Sequence, residues 1–168
     1  MVSPGDSTAV NDPGRISERL SGPPFLRHYP AHRLVAWQPH GMMDDAMLDQ
    51  IAEWILSIEP VSTSFKRFID LSRLIAVSVR TRHLFDFARK RAETFAAGEP
   101  VRSALFSDDW VGFGIARLYE SLMDNTPIKV RAFRNLNDAA EWLRIPVDVL
   151  TLKDVPSPDA GGLPRKRL

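Results

Sequence analysis

Cysteine is absent from this 168-residue chain, which excludes disulfides, thiolate metal sites and cysteine nucleophiles together. Long apolar runs are missing as well: no stretch approaches the roughly 18 residues that a membrane-spanning helix needs. Neither sign of charge dominates, since 22 Lys and Arg stand against 21 Asp and Glu. A net charge of +1 creates no global field for nucleic acid, and nucleic-acid binding is not expected. Gly-x-Ser-x-Gly, Gly-x-x-x-x-Gly-Lys-Ser/Thr and His-Glu-x-x-His are all absent. The common signatures of hydrolases, P-loop nucleotidases and metalloproteases are therefore missing. The expectation is a cytoplasmic, non-enzymatic protein without cofactor or metal.

What is present reads as one domain between two tails. Residues 1–24, rich in Pro, Gly, Ser and charge, cannot bury enough apolar surface to offset the entropy of ordering. They lack a basic segment followed by an apolar core and read as a disordered tail, not a secretory signal. A domain is expected over 25–146 and a flexible tail over 147–168, ending in the basic cluster PRKRL.

Between the tails the apolar pattern alternates between two periods. Strands are predicted over 33–38, 65–71, 100–107 and 128–133, with HGMM (40–43) as a turn. Helices are predicted over 44–58 and 81–97, within FSDDWVGFGIARLYESL (106–122), and over 135–143. Met47, Ile51, Trp54, Ile55 and Ile58 share a stripe of the first helix. Thr81 is expected to cap the second, which places Leu84, Ala88, Arg91, Ala92 and Phe95 in register and ends before Gly98. Asn135 is expected to cap the last. Four successive βα units with short connections predict an α/β domain with a largely parallel sheet.

The strands carry a second regularity. Alternate positions give Arg33, Val35, Trp37; Lys66, Phe68, Asp70; Arg102, Ala104, Phe106; and Lys129, Arg131, Phe133. The complementary positions are mostly aliphatic. Because side chains alternate faces, one sheet face reads as core and the other as partly covered, basic at one end and aromatic at the other. Helices are then expected mainly on one face. FLRHYP (25–30) is a candidate cover for the aromatics.

Three places carry a family resemblance: LVAWQPHGMMDDAMLD, FKRFIDLS, and above all WVGFGIARLYESL with IKVRAFRNLNDAAEWL. From His32 to Leu143 the chain resembles the bacterial SpoIIAA-like STAS/SEC14 domains. The resemblance implies a β–α fold shared in outline by anti-sigma-factor antagonists and Sec14-type lipid carriers. It implies a binding module for an amphipathic ligand or membrane surface, or alternatively a regulatory protein-interaction module. In the antagonists a serine in an Asp-Ser-Ser-Gly-like segment is phosphorylated. Counting from Asp70 reaches Ser78-Val79-Arg80-Thr81, which lacks that motif but leaves Ser78 and Thr81 as the candidate phosphoacceptors.

The doublets Asp44/Asp45 and Asp108/Asp109 sit at helix starts, where negative charge offsets the helix dipole, and adjacent helical residues diverge by about 100°. They read as caps and not as a catalytic pair. Pro30 between His28 and His32 argues against a helical metal pair. His40 beside Gly41 is the best single polar candidate; an enzyme would draw on it with Asp44 or Asp108.

In the third helix Val111, Ile115, Leu118 and Leu122 form the expected core stripe, with Gly112 and Ala116 beside it where small side chains allow close approach to a neighbour, and Trp110 and Phe113 lie outside it. These two, with Trp37, His40, Phe106 and Phe133, are the candidate ligand or partner contacts at the strand ends. A second subunit is another candidate cover for Trp110 and Phe113.

Overall fold

The computed structural model describes residues 26–62, 65–95 and 100–152. The expected tail over 1–24, and residues 153–168 of the other tail, lie outside the described residues.

β1 (Leu26–Tyr29) and β2 (Leu34–Trp37) form an antiparallel hairpin around a single 3-10 turn at Pro30–His32. Pro30 presets the φ of that turn, and Arg33 closes it in the left-handed region at φ 47°. FLRHYP therefore extends the sheet as an edge strand instead of lying over its aromatics. The chain continues through β3 (His40–Asp44), α1 (Asp45–Ser62), β4 (Lys66–Asp70), β5 (Arg73–Ser78) and α2 (Thr81–Phe95). It then forms β6 (Val101–Phe106), α3 (Trp110–Leu122), β7 (Ile128–Phe133), α4 (Leu136–Leu143) and the short α5 (Val147–Leu150). Five strands build the main sheet in the order β1-β2-β4-β6-β7, and every pairing beyond the hairpin is parallel. Four strand–helix units in one α/β domain are what the periodicity predicts.

β3 and β5 replace the predicted turn at HGMM and the predicted loop before Thr81. They pair in parallel as a separate two-stranded sheet, with a register break between Gly41 and Met42. Gly41 takes φ 80° there, a conformation that suits glycine. Each of these strands follows a main-sheet strand after only two residues, Gln38-Pro39 and Leu71-Ser72.

Helices lie on both faces of the main sheet, three of the four long ones on one side. Ile51 and Ile55 of α1 and Ala116 of α3 share a core with Val35, Trp37, Ile69 and Leu105. Ala88 of α2 packs on Val101 and Ile128 of the same face. The opposite face is also covered: Leu34, Ala36, Phe68, Ala104 and Phe133 lie under Ala139, Ala140 and Leu143 of α4 and Leu150 of α5. This corrects two expectations. The basic and aromatic face is a second core, and the chain from 147 to 152 belongs to it, with Leu150 and Leu152 buried. The phase of β2 also changes: Leu34 pairs with Lys66 and Ala36 with Phe68, so Val35 and Trp37 face α1–α3.

α3 turns a different face to the core than its bulky residues predict. Gly112 and Ala116 are its buried positions, while Val111 and Leu118 are 53% and 39% exposed. Gly112 explains the rotation. A Cβ there would collide with Ser107 Oγ and sit 3.1 Å from the Leu71 carbonyl oxygen, so the helix backbone seats directly on the strand ends. No helix among the described residues is long and apolar enough to cross a membrane.

Candidate functional site

At the carboxyl ends of β2, β4 and β6 three polar side chains are buried: Gln38, Asp70 and Ser107. Gln38 Nε2 donates to Asp70 at 2.5 Å, and Ser72 donates to the other carboxylate oxygen from its backbone N (2.9 Å) and hydroxyl (2.6 Å). Ser107 Oγ donates to Asp109 at 2.7 Å, and Asp109 accepts from Val111 N and Gly112 N to cap α3. These bonds hold the chain where it leaves the main sheet. Asp44 caps α1 by accepting from Met47 N at 2.8 Å. The capping reading of both aspartate doublets therefore holds at Asp44 and Asp109.

Asp45 has a different task. Its carboxylate accepts from Arg80 N at 2.9 Å and ion-pairs with the Arg80 guanidinium, which ties α1 to the start of α2. The Arg80 backbone N–H, then its side chain, hold the Asp45 carboxyl below its ordinary value. Leu84 N donates to the Arg80 carbonyl, so Arg80 takes the N-cap position and Thr81 is the first helical residue. Asn135 caps α4 as expected, accepting from Asn137 N at 2.8 Å.

Beneath α1–α3 lies an apolar cavity of about 80 Å³. Its floor is Trp37, Ile69 and Leu105 of the main sheet, with Ser103 among them. Leu48 of α1, Leu84 and Phe87 of α2, and Ile115 of α3 form the roof. Phe87 meets the Tyr119 ring at 5.8 Å, and Trp37 meets Trp54 edge-on at 5.7 Å, which fixes the walls.

The predicted contacts separate onto different surfaces. Trp37 lines the cavity. Phe106 stacks on Phe68 at 6.4 Å and, with Phe133, belongs to the opposite core. Trp110 is 71% exposed at the tip of α3, and the Arg134 guanidinium lies 3.8 Å from its ring centre and 5.8 Å from that of Phe113. Arg134 also donates to the Asp108 carbonyl at 2.9 Å. An arginine of β7's exit therefore sits over the two aromatics. His40 lies on β3 four residues before Asp44, a separation of roughly 13 Å along a strand. Ser78 and Thr81 are exposed at the β5–α2 joint.

Sequence reasoning missed Leu48, Phe87 and Tyr119. Leu48 and Phe87 do lie beside the predicted stripes of α1 and α2. What the sequence did not contain was the position of a void between three helices and a sheet. Among the described residues no three His, Asp or Glu side chains converge as metal ligands.

No family model matches the chain, and no curated protein matches it. Among solved structures it is similar to an uncharacterized protein of the DUF3478 family with a SpoIIAA-like fold from Shewanella loihica PV-4. The two are 17% identical with a TM-score of 0.48, and the match covers 71% of this chain and 90% of that one.

Proposed function

We propose that this chain is a non-catalytic binding module whose ligand seats an apolar end between the sheet and α1–α3. One observation carries the reading: a partly open cavity between the sheet and three helices, lined almost wholly by aliphatic and aromatic side chains. Interiors are normally filled, so a void of this kind is a candidate seat. Its size selects the ligand. At about 80 Å³ it is roughly half the ~150 Å³ cavity that admits benzene. It takes the end of an aliphatic chain and leaves the rest of an amphipathic molecule outside.

Native mass spectrometry and organic extraction of the purified protein test this. A co-purifying apolar ligand is expected, as is a rise in Tm with medium-chain fatty acids. Ile115→Phe, which fills the roof, is expected to abolish both while the protein stays folded. No retained ligand and no response to any chain length would overturn the reading.

A second reading, a regulatory protein-interaction module, is favoured by the exposure of Ser78 and Thr81. Ser78 pairs in register with Asp44, so a phosphate there meets like charge and loosens the joint. Phosphosite mapping under stress, with both hydroxyls never modified, would remove it.

A further inference from the structure

The sheet face away from the cavity carries a groove with a different chemistry. β4 and β6 pair in register from Arg67 and Ser103, which sets Lys66 opposite Arg102 one residue earlier; Arg102 in turn pairs with Lys129. The end of α4 lies over this row of cations. Arg102 Nη1 donates to the Trp142 carbonyl at 2.7 Å, and Lys66 Nζ reaches the Arg144 carbonyl at 3.5 Å. The guanidinium groups of Arg102 and Arg131 lie 4.9 and 5.2 Å from the centre of the Trp142 indole. With Arg144 they wall a groove of about 670 Å³, within the ~300–1,000 Å³ range of small-molecule sites.

Cations at a helix C-terminus have a structural task, since they offset the negative end of its dipole. That task accounts for Lys66 and Arg102. It leaves the Arg131 and Arg144 side chains. Three arginines elsewhere pair with acids, Arg80 with Asp45, Arg89 with Asp86 and Arg117 with Glu120. Among the described residues no carboxylate stands at ion-pair distance from Lys66, Arg102, Arg131 or Arg144. Asp138 and Glu141 line the groove beside Arg102, Arg131 and Arg144, which leaves one positive charge in excess. Burial, then Arg102, Arg144 and Arg33, hold the Lys66 ammonium below the usual lysine range, as expected for crowded positive charge. Trp142 Nε1 is buried and has no acceptor.

We infer that this groove binds a phosphate-type anion, gripped by Arg131 and Arg144 beside the Trp142 indole, with the capping Arg102 adding positive charge. Guanidinium forks match the oxygens of a phosphate in pairs, which an ammonium cannot do. The anion replaces the carboxylates that these arginines lack. Because the groove and the cavity lie on opposite sheet faces, this site stands or falls apart from the cavity reading.

The test is titration of the full chain, followed at the Trp142 indole N–H resonance. Glycerol phosphate serves as the soluble probe. Phosphatidylcholine vesicles with and without phosphatidic acid serve as the headgroup probe. Saturable binding at millimolar or lower concentration is expected. Saturation by glycerol phosphate assigns a free phosphate ester. Binding only to vesicles that contain phosphatidic acid assigns a lipid headgroup. The double variant Arg131→Gln/Arg144→Gln keeps the two helix-capping cations and is expected to weaken binding about tenfold or more. Arg117→Gln, on α3, is expected to leave it unchanged. Silence of the wild-type chain in both arms would overturn the inference. So would affinity unchanged in the double variant, or an equal response to chloride at matched ionic strength.

Discussion

Gly112 and Gly114 stand one residue apart on α3 and differ in what a methyl group would meet. At Gly112 it meets Ser107 and the Leu71 carbonyl; at Gly114 nothing lies within 4 Å. Gly112→Ala is therefore expected to destabilise the protein by about 1–3 kcal/mol, as overpacking does, despite its better helix propensity. Gly114→Ala is expected to stabilise it by about 0.5–1 kcal/mol. Urea unfolding of both variants checks the pair, and like signs would refute the close seating of α3. Asp109 gives a pH-dependent counterpart. The Gly112 N–H first, then the Ser107 hydroxyl, hold its carboxyl below the ordinary 3.8. The unfolded chain then takes up protons before the folded one. The stabilisation is complete above that ordinary value and drains away as pH falls through it toward the folded value. Asp109→Asn keeps an effective cap, so stability near neutral pH should change by less than about 1 kcal/mol. Its loss of stability on acidification should be shallower than in the wild type, which urea midpoints across the acid range would show. The acids at helix starts were legible from the sequence because capping is a local event. The close approach at Gly112 and Ala116 was legible too, but not that this face displaces Val111 and Leu118 from the core. Counting bulky residues finds the apolar stripe, whereas the buried face here is the one whose small residues permit contact with backbone.

At the scale of elements, the short α5 stabilises the second core. Leu150 is 1% exposed beneath the sheet's aromatic face, although only four residues form its helix. Leu150→Ala is expected to cost about 2–5 kcal/mol in chemical denaturation, within the range of buried leucine deletions. A cost near zero would mean that residues 147–152 are not part of the fold. α4 ends at Arg144, which turns into the left-handed region at φ 53° two residues before Pro146, and the chain resumes as a helix directly after that proline. The four long helices and four of the main-sheet strands were legible because period 3.6 and period 2 act within a few residues. β3 and β5 were not, since their ladder joins segments about 33 residues apart and β3 has only one buried residue to mark a face. The slip of β2 by one residue has a related origin. All four of its residues are buried, so alternation could not say which set faced which layer. The aromatic and cationic ends of the strands were visible as a pattern, but their helical cover, and hence the groove at its edge, came from pairing and packing.

Across the whole molecule the sheet divides two chemistries, an apolar void under α1–α3 and a cationic groove beside α4. The small β3–β5 ladder bears on the first of these. β3 runs straight into α1 and β5 into α2 after two residues, so one ladder anchors the N-terminal ends of both roof helices. Asp45 with Arg80, and Asp49 with His83 at 2.8 Å, cross between the same two helices. Both contacts join the N-terminal ends of α1 and α2. In native-state hydrogen exchange the amides of β3, β5 and the following turns of α1 and α2 should open as one unit with a shared free energy. Asp45→Asn should raise their exchange rates in concert and leave those of β7 unmoved. If the proposed ligand enters between α1 and α2, its uptake rate should follow the opening rate of that unit, and uptake faster than that opening would place the entrance elsewhere.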